Sequence, residues 1–132
     1  MMRELVEEIE LHDEAPLNFE EYEWRSMDTA IYPGALLYPI LGLVGEAGEV
    51  AEKVKKHFRD GNHDDVQMSD PEREMSPEFR RELAKELGDV LWYVTAVASD
   101  IGYSLDEVAS LNLEKLESRQ NRDQLHGSGD DR

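Results

Sequence analysis

Apolar residues recur at helical spacing through most of the chain, and no segment shows the strict alternation of a half-buried strand. From about Tyr38 to Phe58 the positions Ile40, Leu41, Val44, Ala47, Val50, Ala51, Val54 and Phe58 predict an amphipathic helix of about five turns, with Pro39 tolerated in its first turn. A second long stripe starts at about Glu78, runs through Leu83, Leu87, Val90, Leu91, Val94, Val97, Ala98 and Ile101, and stops at Gly102. Two shorter helices flank this pair. Asn18 reads as an N-cap with Glu21 completing a capping box, which predicts a helix to about Ile31 before Pro33-Gly34 ends it. Ser104 and Glu107 repeat the capping signature and open a last helix that ends near Asn121. Leu5, Val6 and Ile9 form a brief apolar strip that Ala15-Pro16 interrupts. The expected fold class is all-α: a bundle of about four helices with one long loop between its two longest members.

That loop, Arg59 to Pro77, is rich in Asp, Gly, Asn, Ser and Pro and has the length of a lid or an insertion. With 132 residues the chain suits one domain. Its expected organisation is an acidic N-terminal extension over 1–16, a helical domain over 17–122 and a polar C-terminal tail over 123–132.

Composition narrows the chemistry. The 31 acidic residues against 14 basic ones give a net charge of −17, a field that repels the phosphate backbone of nucleic acid polymers. A small anionic substrate is compatible with that field only where cations or a local basic cluster offset it. There are no cysteines, so a bound metal must be held by oxygen or histidine. No apolar run reaches the roughly 20 residues of a membrane span, and the acidic start lacks the basic and apolar regions of a secretion signal. The expectation is a cytoplasmic protein with no membrane partner.

The acidic residues are patterned. Glu46 and Glu49 lie three residues apart, about 60° around the helix from each other, at the border of the apolar stripe. On the next long helix Glu82, Glu86, Asp89, Tyr93 and Asp100 form one narrow strip beside the apolar face. In a chain this acidic, a single Glu-x-x-Glu is ordinarily a solvated face. Two such pairs on two long helices are a different matter, because antiparallel packing brings them together, and their repulsion then calls for cations. Oxygen-only ligation suits Mg²⁺, with Mn²⁺ as a substitute.

The segments Leu43-Val44-Gly45-Glu46-Ala47-Gly48-Glu49-Val50-Ala51-Glu52 and Lys85-Glu86-Leu87-Gly88-Asp89-Val90-Leu91-Trp92-Tyr93 together resemble the Glu-x-x-Glu and Glu-x-x-Asp signature of MazG-like all-α nucleotide pyrophosphohydrolases. The similarity extends over about residues 19 to 132, including Asn112 to Arg119, Arg122 and Leu125 to Asp130, which resemble the ending of one branch of the family. The 36 residues between Glu49 and Glu86 exceed the usual family spacing. The resemblance implies that Glu46, Glu49, Glu86 and Asp89 bind Mg²⁺ and serve catalysis. It also implies hydrolysis of a nucleoside triphosphate to monophosphate and pyrophosphate, as in nucleotide-pool house-cleaning, by a homodimer or homotetramer whose site borrows residues from a neighbour.

The last helix places Asn112 and Arg119 on the face of Leu105, Val108 and Leu116, with Lys115 beside them. Inward polar groups need partners, either carboxylates of the bundle or, as the resemblance suggests, the phosphates of the substrate. Lys53, Lys56 and Arg122 are secondary candidates for phosphate capture and read as solvated or paired surface groups. A base would rest in an apolar slot with an aromatic wall; Tyr93, on the acidic strip, is the first candidate, and Trp24 follows by analogy with family members whose first helix covers the base.

Other chemistries find no support. Gly42-Leu43-Val44-Gly45-Glu46-Ala47-Gly48 lacks the Lys-Ser/Thr ending of a phosphate-binding loop, and its glycines read instead as a column opposite the apolar stripe, approached by another helix of this chain or of a second subunit. A ferritin-like di-iron site needs Glu-x-x-His, which neither long helix carries. The alternative from another class is a non-catalytic acidic helical module that binds a metal or a protein.

Overall fold

The computed structural model describes residues 15–61 and 75–122. The strip around Leu5, the centre of the expected loop and the tail from Asp123 lie outside the described residues. Four helices follow one another: α1 Phe19–Met27, α2 Leu37–Arg59, α3 Pro77–Asp100 and α4 Leu105–Asn121. No strand occurs among the described residues.

Local chemistry sets most boundaries. Asn18 opens α1 by accepting from the Glu21 backbone N–H at 2.9 Å, while the Glu21 carboxylate turns to Arg25 at 3.2 Å instead of closing a capping box. This helix stops a turn short of Ile31, because the Ser26 carbonyl accepts from the Thr29 hydroxyl at 2.6 Å and from the Trp92 indole at 3.2 Å. Ser76 caps α3 and Pro77 occupies its first turn. At the other end Gly102, with φ +80°, closes a Schellman motif in which Tyr103 N–H reaches the Ala98 carbonyl and Gly102 N–H that of Ser99. The Ser104–Glu107 capping box of α4 is reciprocal. Glu23 accepts from the Leu105 N–H, tying α1 to the start of α4.

The turn before α2 is unusual. Leu36 has φ +68° and ψ −57°, and Leu37 N–H donates to the Ala35 carbonyl at 2.8 Å, which makes a γ-turn of the rare, strained hand. Asp100, at the end of α3, holds it by accepting from Leu36 N–H at 2.7 Å and from the Tyr32 hydroxyl at 3.0 Å.

Helices α2 and α3 form the main packing unit and run antiparallel. Leu36 meets Asp100, Gly42 meets Tyr93, Lys53 meets Glu82 and Glu86, and His57 stacks on Phe79 with ring centroids 3.7 Å apart. Gly42 permits the close approach, since a Cβ there would fall within the Tyr93 ring, whereas a Cβ on Gly45 or Gly48 would meet nothing. The expected glycine column is therefore split: one member faces α3 and two face open space. Tyr32, Tyr38, Trp92 and Tyr93 gather around this end, with Tyr32 stacked on Tyr38 and Trp92 edge-on to both Tyr32 and Tyr93.

The core of one chain is small. Among the described residues, Phe79, Ala96, Ala98 and Leu105 are the buried apolar ones, with Pro39 and Thr95 also enclosed. Along α2 only part of the apolar stripe faces α3: Val50 and Val54 are half-buried, while Leu37, Leu41 and Val44 are 66%, 63% and 69% exposed. Among the described residues, no helix is long and apolar enough to cross a membrane.

Gly42→Ala is expected to lower the melting temperature, despite the better helix propensity of alanine, because the ring of Tyr93 must move. Gly88→Ala, where a Cβ meets open space, is expected to raise stability by up to about 1 kcal/mol. Thermal denaturation followed by circular dichroism checks both signs.

Candidate functional site

The antiparallel register sets Glu46, on α2, opposite Glu86 and Asp89, on α3. One carboxylate oxygen from each lies within 4.8 Å of the others. Glu46 and Glu86 are half-buried and Asp89 is exposed, so the trio sits at the rim of the helix pair with one side open to solvent. Glu49, one turn further along α2, is exposed and stands outside this trio. Three of the four sequence-predicted carboxylates are thus brought together, and the fourth borders them.

Such a group is electrostatically loaded. Desolvation raises the Glu46 carboxyl above its ordinary value, and the charges of Asp89, Glu49 and Glu86 push it the same way. A set of oxygen donors that repel one another and open onto solvent fits a hard divalent cation. Glu82, on the same strip, is instead lowered by hydrogen bonds from Lys85 and Lys53. Lys53 also reaches Glu86, at 3.0 Å, and the carboxylates hold its ammonium above its ordinary value, the bond to Glu86 counting most. Sequence reasoning left Lys53 on the surface; the missed signal is its position seven residues after Glu46, two turns along the same side of α2.

Residues 37–122 match the MazG nucleotide pyrophosphohydrolase domain. The chain belongs to that family. It is also 44% identical over 124 residues to the Gene 37 protein of Mycobacterium phage L5, an alignment that spans 88% of this chain and all of the phage protein. No solved structure matches. The MazG match contains the whole carboxylate trio, Lys53 and α4, while α1 precedes it.

The other candidates of this MazG domain are dispersed. Tyr93 is packed against Gly42 and Trp92, with its hydroxyl raised by burial first and by Tyr38 and Glu46 after that. Trp24 is 71% exposed and lines none of the described clefts. An apolar cleft belongs to other residues: Leu17, Asn18, Phe19, Tyr22 and Leu91 line a space of about 340 Å³. The Tyr22 hydroxyl is raised by burial and then by the charge of Asp89. Phe19 and Tyr22, three residues apart at the start of a helix, carry the spacing that marks such a wall.

Asn112 and Lys115 line a separate cleft of about 410 Å³ with Ile101, Tyr103, Val108 and Leu111. Ile101 lies twelve residues beyond Asp89, about 18 Å along the helix axis. None of the trio contributes to the lining of that cleft. Arg119 is 7% exposed, in keeping with the inward face expected for it.

Because Glu46 is raised in the folded state, its contribution favours the fold below the ordinary carboxylate value and is lost as pH rises through its raised one. In metal-free buffer Glu46→Gln is accordingly expected to be more stable than the unaltered protein at neutral pH, with the gap closing below about pH 4.5. Urea titrations at a series of pH values, in chelator, measure that gap; a gap that widened on acidification would contradict the assignment.

Proposed function

We propose that the protein is a Mg²⁺-dependent nucleoside triphosphate pyrophosphohydrolase, releasing monophosphate and pyrophosphate. The carrying observation is the meeting of Glu46, Glu86 and Asp89, from two antiparallel helices of a MazG domain. Glu46, Glu86 and Asp89 hold the metal, Mn²⁺ serving as a substitute, and Glu49 joins them at the open side. When bound, the metal supplies charge neutralisation for the triphosphate and acidity for an attacking water. A neighbouring carboxylate of the cluster takes the proton of that water.

The base lies in the cleft between Phe19, Tyr22 and Leu91, whose volume is at the lower end for small-molecule sites. This replaces Tyr93 and Trp24 as the primary wall, Tyr93 supporting the site from within. Asp89→Asn is expected to reduce Mg²⁺-dependent pyrophosphate release by at least about 100-fold with the fold retained, and Glu49→Gln by less. Tyr22→Ala is expected to act chiefly on KM. A screen of nucleoside triphosphates with Mg²⁺, following monophosphate and pyrophosphate, measures all three; absence of turnover with every nucleotide would favour the non-catalytic acidic module.

The working form is a homo-oligomer, a dimer or a tetramer, acting in the cytoplasm on a diffusible nucleotide. One observation supports assembly: the exposed row Leu37, Leu41 and Val44. Lys115 and Arg119, with Asn112, bind the phosphates of a site on a neighbouring subunit. Mixing inactive Glu46→Gln and Lys115→Ala subunits is then expected to restore about a quarter of the activity of the unaltered dimer, since half of the randomly formed dimers carry one intact site. Mixtures that stay inactive would place both residues in the same subunit's site.

A further inference from the structure

Lys53 is the one lysine among the described residues that bridges from α2 to the acidic strip of α3, and it does so at the carboxylate cluster. Its ammonium lies 3.0 Å from Glu86 Oε1 and 3.3 Å from Glu82 Oε2, and its side chain is 34% exposed. Lys55 and Lys56 bond Glu52 on their own helix, and Lys85 bonds Glu82 on its own helix. None of these three needs α2 and α3 to be together, whereas Lys53 does.

We infer that Lys53 is a resident counter-cation of the metal site: it neutralises part of the acidic cluster when no metal is bound and thereby weakens the cluster's affinity for divalent ions. This rests on the metal-binding reading of Glu46, Glu86 and Asp89 given above. The physical basis is the same attraction serving two cations. Glu86 is at once a member of the trio and the shorter of the two carboxylate contacts of Lys53. A divalent ion approaching the trio either takes Glu86 away from the ammonium or binds with that positive charge next to it, and both routes cost affinity. In return, the bare site keeps α2 and α3 together, since a cluster of like charges on facing helices would otherwise push them apart. Lys53 acts through Glu86 and is a positioning residue.

The test compares the unaltered protein with Lys53→Met, which keeps the aliphatic stem and removes the charge, and with Lys53→Arg, which keeps the charge. Mn²⁺ is titrated without nucleotide by calorimetry and by the loss of its free-ion electron spin resonance signal, and melting is recorded in chelator. The inference expects Lys53→Met to bind Mn²⁺ roughly tenfold more tightly, the size set by removing one elementary charge from beside a divalent ion in a largely water-screened setting. It also expects a lower melting temperature for Lys53→Met in chelator and recovery of that loss on adding Mn²⁺, with Lys53→Arg close to the unaltered protein in both. Equal or weaker Mn²⁺ binding by Lys53→Met overturns the inference. Should that variant fail to fold, Lys53→Gln, which retains a hydrogen-bonding amide without charge, is held to the same expectation. Glu46→Gln separates the two readings. If the unaltered protein binds Mn²⁺ and Glu46→Gln does not, the metal site stands whatever Lys53 does; if no form binds, both readings fall.

Discussion

The site depends on one constraint: like charges on two helices are held face to face by an antiparallel register that the rest of the chain enforces. Two unit charges about 4 Å apart repel by about 1 kcal/mol in water and about 4 kcal/mol near a protein surface, so a triad of carboxylates does not assemble for its own sake. The close seat of Tyr93 on Gly42, the stack of His57 on Phe79 and the grip of Asp100 on the Leu36 turn press α2 onto α3 at both ends and in the middle. Packing creates the electrostatic tension, and cations relieve it.

Much of this was legible in the chain, for reasons that differ by element. The starts of α1 and α4 were readable because their capping groups are local: Asn18 and Ser104 act within four residues of themselves. The two acidic pairs were readable because their spacing places each pair on one side of a helix, and antiparallel packing is what two long adjacent helices usually adopt. The end of α1 was not, because the indole of Trp92, 66 residues away, occupies the Ser26 carbonyl. Nor was the cleft at Tyr22: only the path of α1 across α3 makes this residue line a cleft, while Tyr93 packs on Gly42.

The apolar pattern was also read more generously than one chain uses it. A helical wheel groups Leu41, Val44, Val50 and Val54 as one stripe, yet the fold covers the last two and leaves the first two open. A wheel gives the width of an apolar face but not how many neighbours share it. On α4, Arg119 is buried as its position suggested, and Asn112 and Lys115 line a cleft with Ile101 and Tyr103.

The seat of Tyr93 on Gly42 has a consequence for how such a chain can vary in length. Four residues separate Gly42 from Glu46 on one helix, and four separate Asp89 from Tyr93 on the other, so one turn links the datum to the acids on each side. Adding or deleting a single residue inside either turn would swing a carboxylate by about 100° and dismantle the cluster while both helices stayed intact. A residue added between Arg59 and Pro77 falls outside both turns and leaves these two spacings unchanged.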